Sequence, residues 1–228
     1  MGFGENLQYL RKMMNKMTQE ELAEKIGVSR QTVSKWEVNA AYPEMNKLIE
    51  LCELFSCNMD QLVREDMNVN DEAYSNIRVE EKAPFDYIRY TVISTDPETD
   101  AINRMNTLAQ NLGIKPNIIG WDFPFLSQEQ INVYNMHGYT AALILDGEPS
   151  EDLKPQVIHQ NKQCYIAITI KQPFDAPFTI IPNAYKTLMT HMQVNGIAHK
   201  CDKKIIECFE KEYTADGIDC MDIYIAIE

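Results

Sequence analysis

The side chains best placed to do chemistry in this 228-residue chain cluster between Gln19 and Asn39. Arg30, Gln31, Thr32, Ser34 and Lys35 form a run of hydrogen-bonding groups interrupted only by Val33. Arginine and lysine donate to the O6 and N7 acceptors of guanine, glutamine pairs bidentately with adenine, and a threonine methyl meets the methyl of thymine. On a helix over 30–37, Val33 and Trp36 turn inward with Leu22, Ala23, Ile26 and Val28, and the polar set faces out. Gln19, at the start of the preceding helix, is placed to donate to a phosphate beside backbone N–H groups that lack helical partners. Asn39 and Tyr42, in the loop that follows, can do likewise. The chemistry this set supports is contact with the major groove of double-stranded DNA.

A second set lies far downstream. In Cys208-Phe209-Glu210-Lys211-Glu212-Tyr213, strand alternation puts Cys208, Glu210 and Glu212 on one face and Phe209 and Lys211 on the other. A carboxylate among aromatic rings suits a lipophilic cation, because it supplies the counter-charge and the rings add cation–π attraction. Candidate walls are Trp121, Phe123, Tyr139, Phe174, Phe178 and Tyr185. The plain alternative is that these aromatics pack a core and that Glu210 is solvated. Asp122, Ser127 and His137 raise the thought of hydrolysis, but no nucleophile elbow surrounds Ser127.

The elements that must carry these residues are legible. Thr18 stands three residues before Glu21, a capping box that opens a helix closed by Gly27. Ser29 caps the next, over 30–37. Leu7, Leu10, Met13, Met14 and Met17 recur at helical spacing ahead of them. Pro43 is expected to start a fourth helix that turns Met45, Leu48, Ile49 and Leu51 inward. A short fifth runs over 58–62. Helices this short need mutual packing, so residues 1–66 are expected to form an all-α five-helix domain. Residues 67–83 are polar and read as a linker.

From residue 84 the pattern becomes mixed. Strands are expected over 86–93, 117–123, 138–145, 163–170, 205–213 and 221–227. Helices are expected over 97–112 and 177–195, stopped at Gly113 and Gly196. The order is β-α-β-β twice. It predicts, for 84–228, an α+β domain of duplicated units on an antiparallel sheet with pseudo-twofold symmetry and a ligand groove between the halves.

A net charge of −13 argues against a nucleic-acid binder until the chain is divided. Residues 1–66 carry eight Lys/Arg against eleven Asp/Glu, and the remainder carries thirteen against twenty-three. Over 11–47 the balance reverses, with seven basic residues against five acidic ones. Phosphate contact needs only a local basic face. The six cysteines are scattered without a CxxC pair, and the four histidines lack metal-ligand spacing, so neither a disulfide framework, a metal site nor a cofactor is expected. No run approaches the ~18 apolar residues that span a bilayer. The start lacks the layout of a secretory signal, and Met1-Gly2 is followed by Asn6 where a myristoylation pattern wants Ser or Thr. A cytoplasmic protein is expected.

Two resemblances follow from these residues. The stretch LRKMMNKMTQEELAEKIGVSRQTVSKWEVNAAYPEMNKLIELCELFSCNMDQLV resembles the XRE (Cro/cI-type) helix-turn-helix family, most specifically in TQEELAEKIGVSRQTVSKWE. The resemblance implies that Arg30, Gln31, Thr32 and Lys35 approach bases, that Gln19, Ser34 and Asn39 hold phosphates, and that Arg11 and Glu37 form a structural ion pair. It also implies a homodimer on palindromic DNA. The loop Val38-Asn39-Ala40-Ala41 departs from the family's usual Asn-Gly. The segments IIGWDFPFLSQEQ, NMHGYTAALIL and ECFEKEYTADGIDCMDIYIAIE resemble the GyrI-like, or AraC-type, effector-binding domain, whose FExY strand here carries one extra residue. Either Glu210 or Glu212 takes the acidic pocket role. Together the resemblances imply a one-component transcriptional regulator that senses a small cationic or aromatic molecule. A C-terminal hydrolase and a protein-interaction module are the alternatives. Operator, effector and the sign of regulation are not encoded in any recognisable pattern.

Overall fold

Thr18 closes its capping box as its spacing requires. Its N–H donates to Glu21 Oε2 at 2.6 Å, and its Oγ1 accepts from the Glu21 N–H at 3.2 Å. That box starts α2 (Gln19–Ile26), which ends at Gly27 in the left-handed conformation, φ +66°. Ser29 Oγ accepts from the Thr32 N–H at 3.1 Å and starts α3 (Arg30–Glu37). Around this pair lie α1 (Phe3–Met13), α4 (Met45–Leu54) and α5 (Met59–Val63), the last opened by an Asn58–Gln61 box. The computed structural model describes residues 2–67, 74–147, 149 and 151–228, and it divides into two compact units. Among the described residues no helix is long and apolar enough to cross a membrane.

The helical unit comprises Met1–Glu72 and Phe178–Ala198. Leu7, Leu10, Leu22, Ala23, Ile26, Val33, Trp36, Leu51, Phe55 and Leu62 form its buried core. A buried ion pair runs through it. Arg11 Nε donates to Glu37 Oε1 at 2.6 Å and Arg11 Nη2 donates to Glu37 Oε2 at 3.0 Å. A further guanidinium N–H serves the Met17 carbonyl, and Gln19 Nε2 donates to Glu37 Oε2 at 2.8 Å. One carboxylate therefore fastens α1, α2 and α3 together.

Two expectations for α4 are corrected. Pro43 precedes the N-cap, Glu44, and is not the first helical residue. Met45 and Ile49 are 61% and 47% exposed, while Leu51 is buried and Leu48 partly so. So small a helical unit cannot bury every apolar side of a ten-residue helix.

The helix expected over 177–195 forms as α8 (Pro177–Val194), but it groups with the helical unit. Val194 joins the core there, Asn195 Nδ2 donates to the Met13 carbonyl at 2.9 Å, and Gln193 reaches the Ser56 carbonyl. An amphipathic pattern shows that a helix buries one face without saying against which partner, so a continuous 84–228 domain could not be told from this arrangement by periodicity.

The second unit, Ala73–Pro177 with His199–Glu228, is an eight-stranded antiparallel sheet. Its strands are β1 (Tyr74–Lys82), β2 (Phe85–Ser94), β3 (Ile118–Asp122), β4 (His137–Ile144), β5 (Ile158–Gln160), β6 (Gln163–Lys171), β7 (Cys208–Ala215) and β8 (Ile218–Ala226). The spatial order is β1-β6-β8-β7-β3-β4-β2-β5. Within it, β6-β8-β7 and β3-β4-β2 mirror each other about the β7/β3 seam, as the duplication predicts. Helix α6 (Pro97–Leu112), closed by Gly113, packs on β2, β3 and β4 through Ala101, Met105 and Ala109. A short α7 (Gln128–Asn132) lies between β3 and β4.

Strand β1 occupies most of the expected linker; residues 68–73 of that stretch lie outside the described ones. Its charges read as a solvated linker, but several are paired: Arg78 and Lys82 with Glu80 along the strand, and Arg78 with Asp222 across the sheet. Arg78 Nη2 donates to Asp222 Oδ2 at 2.7 Å, Arg78 and Lys82 both bond Glu80, and Lys82 Nζ sits 4.3 Å from the Tyr224 ring centroid.

The Arg11–Glu37 pair yields a stability prediction. Arg11→Ala leaves a buried carboxylate without its partner and should destabilise the helical unit by about 3–5 kcal/mol. Urea unfolding followed by Trp36 fluorescence in a Trp121→Phe background checks this, and a change below about 1 kcal/mol would contradict the pairing.

Candidate functional site

Helix α3 lies with its apolar side buried through Val33 and Trp36 and its polar side open. Arg30, Gln31 and Lys35 are exposed, and with Ser34 they line a shallow recess on the helix surface. Thr32 is partly spent on the helix start, its Oγ1 lying 2.9 Å from Ser29 Oγ. Two of the expected phosphate ligands have structural work. The Gln19 amide donates to Glu37. Asn39, at φ +55° after α3, accepts from the Gly4 N–H at 2.9 Å and donates to Glu5 Oε2 at 3.1 Å. These amides orient α1 and α2 against the recognition helix.

The second candidate site lies at the β7/β3 seam. Gly120 and Glu210 are directly opposed across it, so their side-chain positions share a face. On that face Tyr139 crosses Gly120. A Cβ at position 120 would stand 2.1 Å from the Tyr139 hydroxyl oxygen, so no larger residue fits. Ile102, Asn106, Pro116, Ile118, Ile119, Gly120, Tyr139, Glu210 and Glu212 line a cleft of about 200 Å³. Pro116, Ile118 and Glu212 also border a recess of about 410 Å³ reaching Lys115 and Lys211. The two together approach the size of a small-molecule site.

The cleft is an acidic place, with Glu210 and Glu98 half-buried and Glu212 more open to solvent. Burial, then the neighbouring charge of Glu98 and a hydrogen bond with it, push the Glu212 carboxyl up to about 7. Burial also raises Glu98, with Asp122 and Asp96 adding to it. The Tyr139 phenol is pushed far above its ordinary value by burial and by Glu210, Glu98, Glu212 and Asp122. The neighbouring Glu98 therefore makes Glu212 harder to ionise.

Of the expected ligand residues, Tyr139, Glu210 and Glu212 come together, and both carboxylates face the cleft. Trp121 points to the other side of the sheet, where it packs with Tyr165, Phe209 and Tyr224. Phe123 follows β3 and meets Phe125 edge-on, with ring centroids 5.5 Å apart. Phe174 is exposed; Phe178 and Tyr185 ride on α8 in the helical unit, Phe178 at 95% exposure. Glu98, Ile102 and Asn106 were missed, although their spacing of four along α6 marks a single stripe. Ser127 Oγ accepts from the Gln130 N–H at 3.1 Å, so the hydrolytic candidate is a helix cap.

Comparison with known proteins identifies the N-terminal part of the chain. Residues 7–62 match the Helix-turn-helix family. The chain is similar to the HTH-type transcriptional activator BcrR of Enterococcus faecalis, 46% identical over 63 residues that make up 28% of this chain and 30% of that protein. It is similar to the uncharacterized HTH-type transcriptional regulator YqaE of Bacillus subtilis (strain 168), 30% identical over 66 residues, 29% of this chain and 56% of that one. The chain thus spans about a third to just over half of these relatives' lengths. Among solved structures, the EcmrR–DNA complex is similar at a TM-score of 0.46 and 13% identity, over 93% of this chain and 85% of that one.

The raised Glu212 carboxyl is open to direct measurement. Carbon-detected NMR should find Glu212 titrating near pH 7, and Glu98→Gln should lower that midpoint by removing the like charge. A midpoint in the ordinary carboxylate range in the unsubstituted protein would show that the cleft is not desolvated.

Proposed function

Residues 7–62 being a helix-turn-helix domain of the XRE type, we propose that the chain is a one-component, sequence-specific DNA-binding transcriptional regulator. The observation that carries this is α3, with Arg30, Gln31, Ser34 and Lys35 open on one side while its other side is locked by Trp36, Val33 and the Glu37–Arg11 pair. Arg30, Gln31, Thr32 and Lys35 approach bases, and Ser34 together with the first turn of α2 meets phosphate. The functional form on DNA is a homodimer that reads two half-sites one helical turn apart. The whole works in the cytoplasm.

In the same proposal, the cleft beneath Tyr139 receives a small cationic effector. Carboxylates that cannot all be ionised without a counter-charge favour a bound cation, and the Tyr139 ring adds a polarisable wall. The effector would bias the protein between states of different DNA affinity. The alternative, a hydrolase that works through Glu210 and Glu212, is distinguished by turnover of a small compound that both Glu210→Gln and Glu212→Gln abolish.

Two measurements test the proposal. Arg30→Ala and Lys35→Ala should each lower affinity for a duplex selected from random sequence by about tenfold or more. Unchanged affinity and an unchanged salt slope would remove α3 from the interface. A quaternary ammonium or phosphonium probe must expel the proton on Glu212 below pH 7 and finds the carboxylate already charged above it. Its affinity should therefore rise between pH 6 and 8, by at most about tenfold per pH unit. Glu212→Gln should flatten that rise; an equal slope in the variant would overturn the role given to Glu212.

A further inference from the structure

The segment that enters β7, residues 199–207, folds back on the last strand of the sheet. The backbones of His199 and Ile227 form an isolated antiparallel bridge. The Lys200 N–H donates to the Ala226 carbonyl at 2.9 Å, and the Ala226 N–H donates to the Glu207 carbonyl at 2.8 Å. A single residue of β8 thus fixes both ends of the segment. Between them Asp202 makes a turn, its Oδ1 accepting from the Lys204 N–H at 3.0 Å and its carbonyl from the Ile205 N–H at 3.0 Å. Ile206 is buried, and its N–H donates to Gln160 Oε1 at 3.0 Å. The Lys200 ammonium is drawn away to Gln163 Oε1.

Pinned in this way, the turn brings three different donors to one point. A ring nitrogen of His199, the sulfur of Cys201 and a carboxylate oxygen of Glu207 all lie within 4.8 Å of one another. His199 Nδ1 and Cys201 Sγ are 3.6 Å apart. Zinc bonds of about 2.0–2.1 Å to nitrogen and about 2.3 Å to sulfur, meeting at a tetrahedral angle, set two such ligands about 3.6 Å apart. The pair already has ligand spacing, and the Glu207 carboxylate lies within reach of both.

We propose that His199, Cys201 and Glu207 bind a divalent ion of the zinc class, with the fourth position left to water. The donor set selects the metal. A thiolate and an imidazole favour zinc and its transition-metal neighbours, whereas calcium and magnesium require oxygen shells. His199 and Cys201 are exposed, which gives the ion an entry path and makes it exchangeable. The ligands sit on a backbone scaffold fixed before the ion arrives, which favours binding. The site was hidden in the sequence because one residue separates His199 from Cys201 and five more precede Glu207, unlike the usual zinc spacings.

Cobalt(II) titration of the full chain under reducing, anaerobic conditions tests this. One equivalent per chain should produce a sulfur-to-cobalt charge-transfer band that zinc then abolishes by displacement. Cys201→Ser should lose the band, and His199→Ala and Glu207→Gln should each weaken cobalt binding by about tenfold or more. Absence of the band in the unsubstituted protein would overturn the proposal. So would a band that persists undiminished in Cys201→Ser, which would assign it to another cysteine. Cys201 is on the surface and Glu207→Gln preserves shape, so unchanged circular dichroism should accompany each loss.

Discussion

The orientation of α3 depends on one buried carboxylate. Glu37, the last residue of α3, receives two N–H groups from Arg11 of α1 and one from Gln19 of α2, so the recognition helix cannot turn about its own axis. Such a pair adds little net stability, because desolvating two charges costs about as much as their attraction returns. Its worth is in orientation. Hydrophobic contacts from Val33 and Trp36 bury the right side of α3, and the directional bonds at Glu37 fix where that side points. The same network explains why Gln19 and Asn39, both plausible phosphate ligands by residue type, are occupied inside the protein. They hold the frame on which Arg30, Gln31, Ser34 and Lys35 are displayed.

The sheet unit uses charge in the opposite sense. Where the helical unit neutralises its buried carboxylate with a guanidinium, the β7/β3 seam gathers Glu98, Glu210 and Glu212 near Tyr139, whose phenol and the Glu212 carboxyl are both pushed up. Gly120 allows this by letting the Tyr139 ring lie across the strand. The other side of the same sheet shows what a balanced arrangement looks like. Arg78 and Lys82 meet Glu80 and Asp222, and Tyr224 stacks on Phe209 with ring centroids 4.6 Å apart.

How much of this was legible in the sequence depends on the range of the interaction. Local chemistry was readable: the Thr18–Glu21 box, the Ser29 cap, the Gly27 and Gly113 stops and the duplicated β-α-β-β order all form where their residues predict. Strand alternation likewise placed Glu210 and Glu212 on a common face. What failed needed knowledge of partners. Strand β1 reads as solvated because part of its charge, Arg78, is answered by Asp222, more than a hundred residues away. Trp121 lost its place in the cleft through strand parity, and α8 took a partner that amphipathicity does not name. The aromatic residues marked as walls were chosen by type, and only Tyr139 among them borders the cleft.

The central claim is that occupancy of an acidic cleft governs a DNA-reading helix, and one titration tests it directly. The affinity of the full chain for its selected duplex is to be measured by fluorescence anisotropy at fixed salt, with and without a saturating lipophilic cation. Coupling of about 1–3 kcal/mol would change that affinity about 5- to 150-fold, and the change should vanish in Glu212→Gln. A cation that demonstrably binds the cleft and leaves the DNA affinity unaltered would contradict it.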